Sequence, residues 1–118
     1  MTLVGMLNVL CALISIGGGA ISWINPRYTL SVLDLQEGQT TMGRSELRAS
    51  AGALFVAMGV GALLIGQPVA YLMMGVAWLG AAVGRMTSIL VDPGPTRQTW
   101  VFFAVETAVG VALVTANF

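Results

Sequence analysis

Four apolar runs organise the chain, separated by short polar breaks. The first occupies residues 2–24, about 23 positions, enough to cross a hydrocarbon layer of roughly 30 Å as a helix. No Lys or Arg precedes it, and it is longer than a secretory signal core, so it is expected to be retained as a helix. Asn25-Pro26 ends it, because proline donates no backbone hydrogen and disfavours helix in the residue before it. Residues 27–45 form the one sizeable non-spanning segment, with Arg27, Asp34, Glu37 and Arg44 interleaved with Tyr28, Leu30, Val32, Leu33 and Leu35. The Leu30/Leu33 and Val32/Leu35 spacings predict a short amphipathic piece at the membrane interface. Gly38 to Gly43 is polar and is expected to be loop.

The second span is predicted over 47–65, with Ser45 as N-cap and Glu46 in the first turn, where an anion suits the helix dipole. Gly66-Gln67-Pro68 closes it, and Pro68 fits the first position of a third span at 69–91, which is expected to fold back as a tight hairpin. Asp92-Pro93-Gly94-Pro95 is a turn. Thr96 is placed to cap a fourth span over 98–116, with Trp100 at the level of the interface. Small residues recur every four positions at Ala49, Ala53, Ala57 and Gly61, at Gly80, Gly84 and Ser88, and at Ala104, Ala108, Ala112 and Ala116. Such ridges let helices approach closely. The fold class is therefore all-α, a four-helix transmembrane bundle running up-down-up-down. A short interfacial segment lies between helices 1 and 2, and residues 1–118 are read as a single integral membrane domain.

Composition agrees and narrows the chemistry. The chain is 57% hydrophobic and 8% charged with zero net charge, and its mean hydropathy is +0.88; soluble domains carry about 25% charged residues. There is no basic patch to neutralise phosphates along a nucleic acid, so a nucleic-acid partner is excluded. The absence of histidine removes histidine-ligated metal and haem and the Ser-His-Asp nucleophile system. Cys11 is alone in an apolar run, so no internal disulfide forms and it reads as a small buried side chain. No metal site, cofactor or catalytic residue is assigned, and the protein is expected not to be an enzyme.

Charge placement supplies the candidate site. Arg85 lies about seven residues inside Asp92, roughly 10 Å deep at the helical rise, and Glu106 lies about six residues inside Trp100, roughly 9 Å deep. A charge at that depth demands a partner or water. Arg48 is shallower, with a stem long enough to reach inward or to snorkel. Together Glu46, Arg48, Arg85, Asp92 and Glu106 form a polar cluster at one end of spans two, three and four. Two readings stand: an Arg85–Glu106 ion pair that fixes helix register, or a polar pocket in which Arg48 and Arg85 bind an anionic group and Glu106 titrates. Arg27, Arg44 and Arg97 all lie on one side, so the positive-inside rule puts both long loops in the cytoplasm and both termini outside.

The segments Ser45-Glu46-Leu47-Arg48-Ala49, Gly84-Arg85, Asp92-Pro93-Gly94-Pro95 and Glu106 resemble, in order and over about three quarters of the chain, the bacterial membrane family called domain of unknown function 4345. Where that family continues with a Tyr-Gly-Gly-like stretch, this chain has Ser50-Ala51-Gly52. The resemblance implies four helices in a bacterial inner membrane and no assigned activity. The expected function is a non-enzymatic accessory or small-ligand-binding bundle. The alternative is a small proton-coupled transporter with Glu106 as the titrating group. Expected partners are the bilayer, a further copy or another membrane protein, and a small anionic or lipid ligand.

Overall fold

The computed structural model describes residues 1–118, which form helices and no strands. Helix α1 spans Leu3–Ile24 and α2 Pro26–Leu33. Helix α3 spans Met42–Ile65, α4 Pro68–Val91 and α5 Arg97–Asn117. The four long helices have 21 to 24 residues, or about 32–36 Å of rise, enough to cross a bilayer. Apolar side chains remain outward on each of them, among them Leu13, Leu64, Val83 and Val101. That is the pattern of helices solvated by lipid: a small multi-pass membrane protein.

Local chemistry explains each break. The Asn25 side chain accepts from the Tyr28 amide at 3.3 Å, and Pro26 takes the first turn of α2, where its missing donor costs nothing. Asp34 ends α2 in the left-handed region at φ 56°, and the Leu35 amide reaches back to the Leu30 carbonyl at 2.9 Å, a Schellman-type closure. Asp is one of the few residues besides Gly that tolerates this conformation. Gly66 turns at φ 67° into Pro68 at the start of α4. At α5, the Thr96 hydroxyl accepts from the Thr99 amide and the Thr99 hydroxyl accepts from the Thr96 amide, each at 3.3 Å. This is a reciprocal cap with Thr where Glu is usual.

The second spanning helix starts earlier than its apolar run suggests. Met42 to Glu46 is helical and Thr41 is the residue before it, so Ser45 lies inside the helix and caps nothing. Hydropathy marks where hydrocarbon begins, whereas a helix can extend beyond it into the polar interface. A further departure is π-helical backbone over Ala49–Ala53, a wider turn that re-aims the side chains on either side of it.

Packing divides the chain into two units, Val9–Leu64 and Met1–Asn8 with Ile65–Phe118. In the first, α1 and α3 run antiparallel: Ser15 donates to the Phe55 carbonyl at 2.9 Å, Gly59 abuts Ala12 and Ile16, and Gly52 abuts Trp23. A Cβ on Gly52 would lie 2.8 Å from the Trp23 nitrogen, closer than any side chain tolerates. In the second unit, α4 and α5 also run antiparallel, with Gly75 against Leu113 and Gly110 against Leu79. Asn8 and Asn117 exchange amide hydrogen bonds at 2.7 and 2.8 Å.

The contact glycines are thus Gly19, Gly52, Gly59, Gly75 and Gly110, not the expected ridges. Gly80, Gly84, Ala57, Ala104 and Ala108 are exposed, and Ala53, Gly61, Ala112 and Ala116 only half-buried. Four-residue spacing identifies a stripe along a helix but leaves open which way the stripe points.

Candidate functional site

In the unit holding α4 and α5, the antiparallel pairing that sets Gly75 beside Leu113 and Leu79 beside Gly110 brings Arg85 level with Glu106. The Arg85 Nε donates to Glu106 Oε1 and Nη2 to Oε2, both at 3.0 Å, so the contact is a two-bond fork that fixes orientation as well as charge. Glu106 is buried, its side chain 11% exposed, while that of Arg85 is 36% exposed. The Phe102 ring, one turn before Glu106, lies under the guanidinium with 5.6 Å to its centroid. Both carboxylate oxygens are therefore occupied, and the cation rests on an aromatic face. Nearby, the Ser88 hydroxyl donates to Asp92 at 2.8 Å, which ties Asp92 to the end of its own helix.

The remaining two members of the expected cluster are held within the other unit. Glu46 accepts from the Ser50 hydroxyl at 2.8 Å. Arg48 donates through Nη1 to the Trp23 carbonyl at 2.6 Å. Trp23 is in the last turn of α1, where carbonyls lack helical donors and the dipole is negative, so a cation there is stabilising. No carboxylate lies within ion-pair distance of Arg48, since the ion pairs of the chain are Arg85–Glu106 and Arg44–Glu37. Of the five residues, then, Arg85 and Glu106 pair, and Glu46, Arg48 and Asp92 each take neutral local partners.

Arg48 also lines a cleft of about 570 Å³ whose walls are Trp23, Thr41, Arg44, Ser45, Arg48, Ala49 and Ala53. Thr41, just before α3, and the α3 residues at 44, 45 and 48 follow helical spacing and share one face, which the early helix start makes possible. Arg44 gives its Nε to both oxygens of Glu37, at 2.8 and 2.9 Å, leaving its terminal amino groups unspent by that carboxylate. The lining thus carries two cations and two hydroxyls, and one of the cations, Arg44, is paired with Glu37 outside it. Its opposite wall is Trp23, 47% exposed, and its far end is the small side chains of Ala49 and Ala53. This arrangement can bind an anion with an apolar portion. It carries no nucleophile–base pair, and no group of three metal-ligating side chains occurs in the chain.

Arg44, Thr41, Ser45 and Trp23 do not figure in the expected site. The signal was present: Arg44 and Arg48 are four apart, hence on one helix face once the helix is extended to Met42. Phe102 below Arg85 has a similar signature, four residues before Glu106.

The family model described as domain of unknown function (DUF4345) matches residues 5–117. Comparisons with curated proteins and with solved structures give no match. The family match covers nearly the whole chain, which belongs to the DUF4345 family.

Proposed function

We propose that this DUF4345 member is a non-enzymatic membrane protein that binds an anionic group in the cleft between the end of α1 and the start of α3. In this reading the Arg85–Glu106 fork is a clasp that holds α4 and α5 in register. The carrying observation is Arg48, a guanidinium that lines the cleft, is fixed by the Trp23 carbonyl and has no carboxylate of its own. Binding an anion would give that guanidinium a charged partner. Glu106 spends both oxygens on Arg85, an observation against its serving as a freely titrating transport group. The proposed placement is a bacterial inner membrane with the α1–α3 and α4–α5 connections in the cytoplasm, since all five cations lie in or lean towards those connections.

The experiment is a measurement of tightly bound phosphorus per protein molecule after exhaustive washing in uncharged detergent, followed by dialysis against labelled inorganic phosphate. The reading expects retained or exchangeable phosphate in the wild type and in Arg97→Gln, and its loss in Arg48→Gln. Equal phosphate in Arg48→Gln and wild type overturns it.

A further inference from the structure

The same cleft says more about its ligand than that it is anionic. At about 570 Å³ it falls in the range of sites that hold a small organic molecule, roughly 300–1,000 Å³, rather than a single ion. Its chemistry is divided along α3. Thr41, Arg44, Ser45 and Arg48 are at the polar end, while Ala49, Ala53 and the exposed face of Trp23 form the apolar end. From residue 41 to residue 53 the helix rises about 18 Å, the length of a head group plus the first part of an acyl chain. The π-helical turn at Ala49–Ala53 falls where polar lining gives way to apolar. Gly52, inside that turn, lets the α3 backbone approach Trp23, so the two helices meet behind the cleft with no side chain between them.

Charge narrows the class further. Arg44 and Arg48 contribute two positive charges, and Glu37, bound to Arg44, contributes one negative charge, a local balance of one positive charge. A phosphodiester carries one negative charge, whereas a phosphomonoester approaches two. Arg48 sits one helical turn beyond Arg44, next to Ala49 where the apolar part of the lining begins. Arg and Ser donors suit phosphate oxygens, and an indole face beside them suits the glycerol and upper acyl region.

Resting on the reading of the cleft as an anion site, we infer that its occupant is an anionic bilayer phospholipid, whose singly charged phosphodiester is not balanced by a cation in the head group. The phosphate is held by Arg48 with Arg44 and Ser45, and one acyl chain runs over Ala49 and Ala53 against Trp23. The ligand enters laterally from the membrane rather than from water.

The test is native mass spectrometry of the full chain released from uncharged detergent, titrated separately with three probes. These are phosphatidylglycerol, phosphatidylcholine, and glycerophosphoglycerol, the first lipid's head group without acyl chains. The expected result is a one-to-one phosphatidylglycerol adduct at least tenfold more persistent than that of either other probe. One lost charge-assisted hydrogen bond amounts to roughly a tenfold change in affinity, so Arg48→Gln should weaken the adduct by about that factor or more. Because Arg48 also secures Trp23, Ala49→Leu serves as a second variant, filling the apolar end while leaving every charge in place. It should weaken the lipid adduct and leave glycerophosphoglycerol unaffected. If glycerophosphoglycerol binds as tightly as the lipid, the inference of a lipid occupant fails and the anion cleft stands. If neither binds better than phosphatidylcholine, both fail. A lipid adduct unchanged in both variants places the lipid elsewhere and overturns the inference.

Discussion

Cutting the Arg85–Glu106 fork from either side gives unequal losses, and the inequality follows from the geometry. The two hydrogen bonds are both 3.0 Å and well shared between the charged groups. Breaking a buried pair in a soluble protein costs about 3–5 kcal/mol, whereas couplings measured between membrane helices average about 0.6 and reach about 1.7 kcal/mol. Glu106 is almost wholly enclosed, but the Arg85 side chain is 36% exposed, so part of the interaction is screened. A coupling of about 1–2 kcal/mol is therefore expected, at the upper end of the membrane range. Glu106→Ala strands a guanidinium that cannot give up its proton and must snorkel or draw in water. Arg85→Ala strands a carboxylate that can take up a proton, at the further loss of the cation–π contact with Phe102, about 0.5–1 kcal/mol. Glu106→Ala is expected to be the more damaging single change, and the double variant should regain part of the summed loss. The assay is unfolding by sodium dodecyl sulfate titration in one mixed micelle, followed by circular dichroism, for the wild type, both single variants and the double variant. Losses that add to within about 0.5 kcal/mol would mean that the two residues are not coupled, and the clasp would be refuted.

Other changes test the packing and the placement. Gly52→Ala and Gly110→Ala drive a methyl to 2.8 Å from Trp23 and 2.7 Å from Leu79, so each should cost about 1–3 kcal/mol by overpacking. Gly84→Leu, with no neighbouring atom within 4 Å of its Cβ position, should leave the detergent-unfolding curve unchanged, and a large loss there would place a helix against that face. Asn8→Ala leaves the Asn117 amide without its reciprocal partner and should destabilise by about 1 kcal/mol, with the Asn8→Ala/Asn117→Ala double variant losing less than the sum. Reporter fusions after Phe118 should be active outside the cytoplasm only; activity of a cytoplasm-dependent reporter alone would reverse the proposed orientation.

The sequence disclosed the spans well because bilayer thickness imposes a length on them and each ends in chemistry that cannot continue a helix: Asn25-Pro26, Gly66-Gln67-Pro68 and Asp92-Pro93-Gly94-Pro95. It also exposed Arg85 and Glu106, since equal depth on helices joined by a short turn leaves few other partners. What stayed hidden depended on helix rotation and on helix outside the hydrocarbon. Gly80 and Gly84 have the same four-residue spacing as a packed ridge, yet only a wrong guess of about half a turn separates lipid-facing from helix-facing positions. Met42 to Glu46 is polar, so hydropathy stopped at Leu47 and left Arg44 in a loop. Once the helix begins at Met42, Arg44 and Arg48 fall on one face and the cleft emerges. The π-helical turn at Ala49–Ala53 has no period that a hydrophobic pattern could reveal.

The contact between phosphate and the Arg48 guanidinium can be measured as a distance. In the wild-type chain reconstituted into phosphatidylglycerol-containing bilayers, with arginine labelled at Cζ by carbon-13, solid-state dephasing reports the separation between that carbon and the lipid phosphorus. A charge-assisted hydrogen bond to a phosphate oxygen places the two nuclei roughly 4 Å apart. The Arg48 resonance, identified by its disappearance in Arg48→Gln, should show that separation in phosphatidylglycerol bilayers and lose it in phosphatidylcholine bilayers. An Arg48 resonance without phosphorus dephasing in either bilayer would contradict the account.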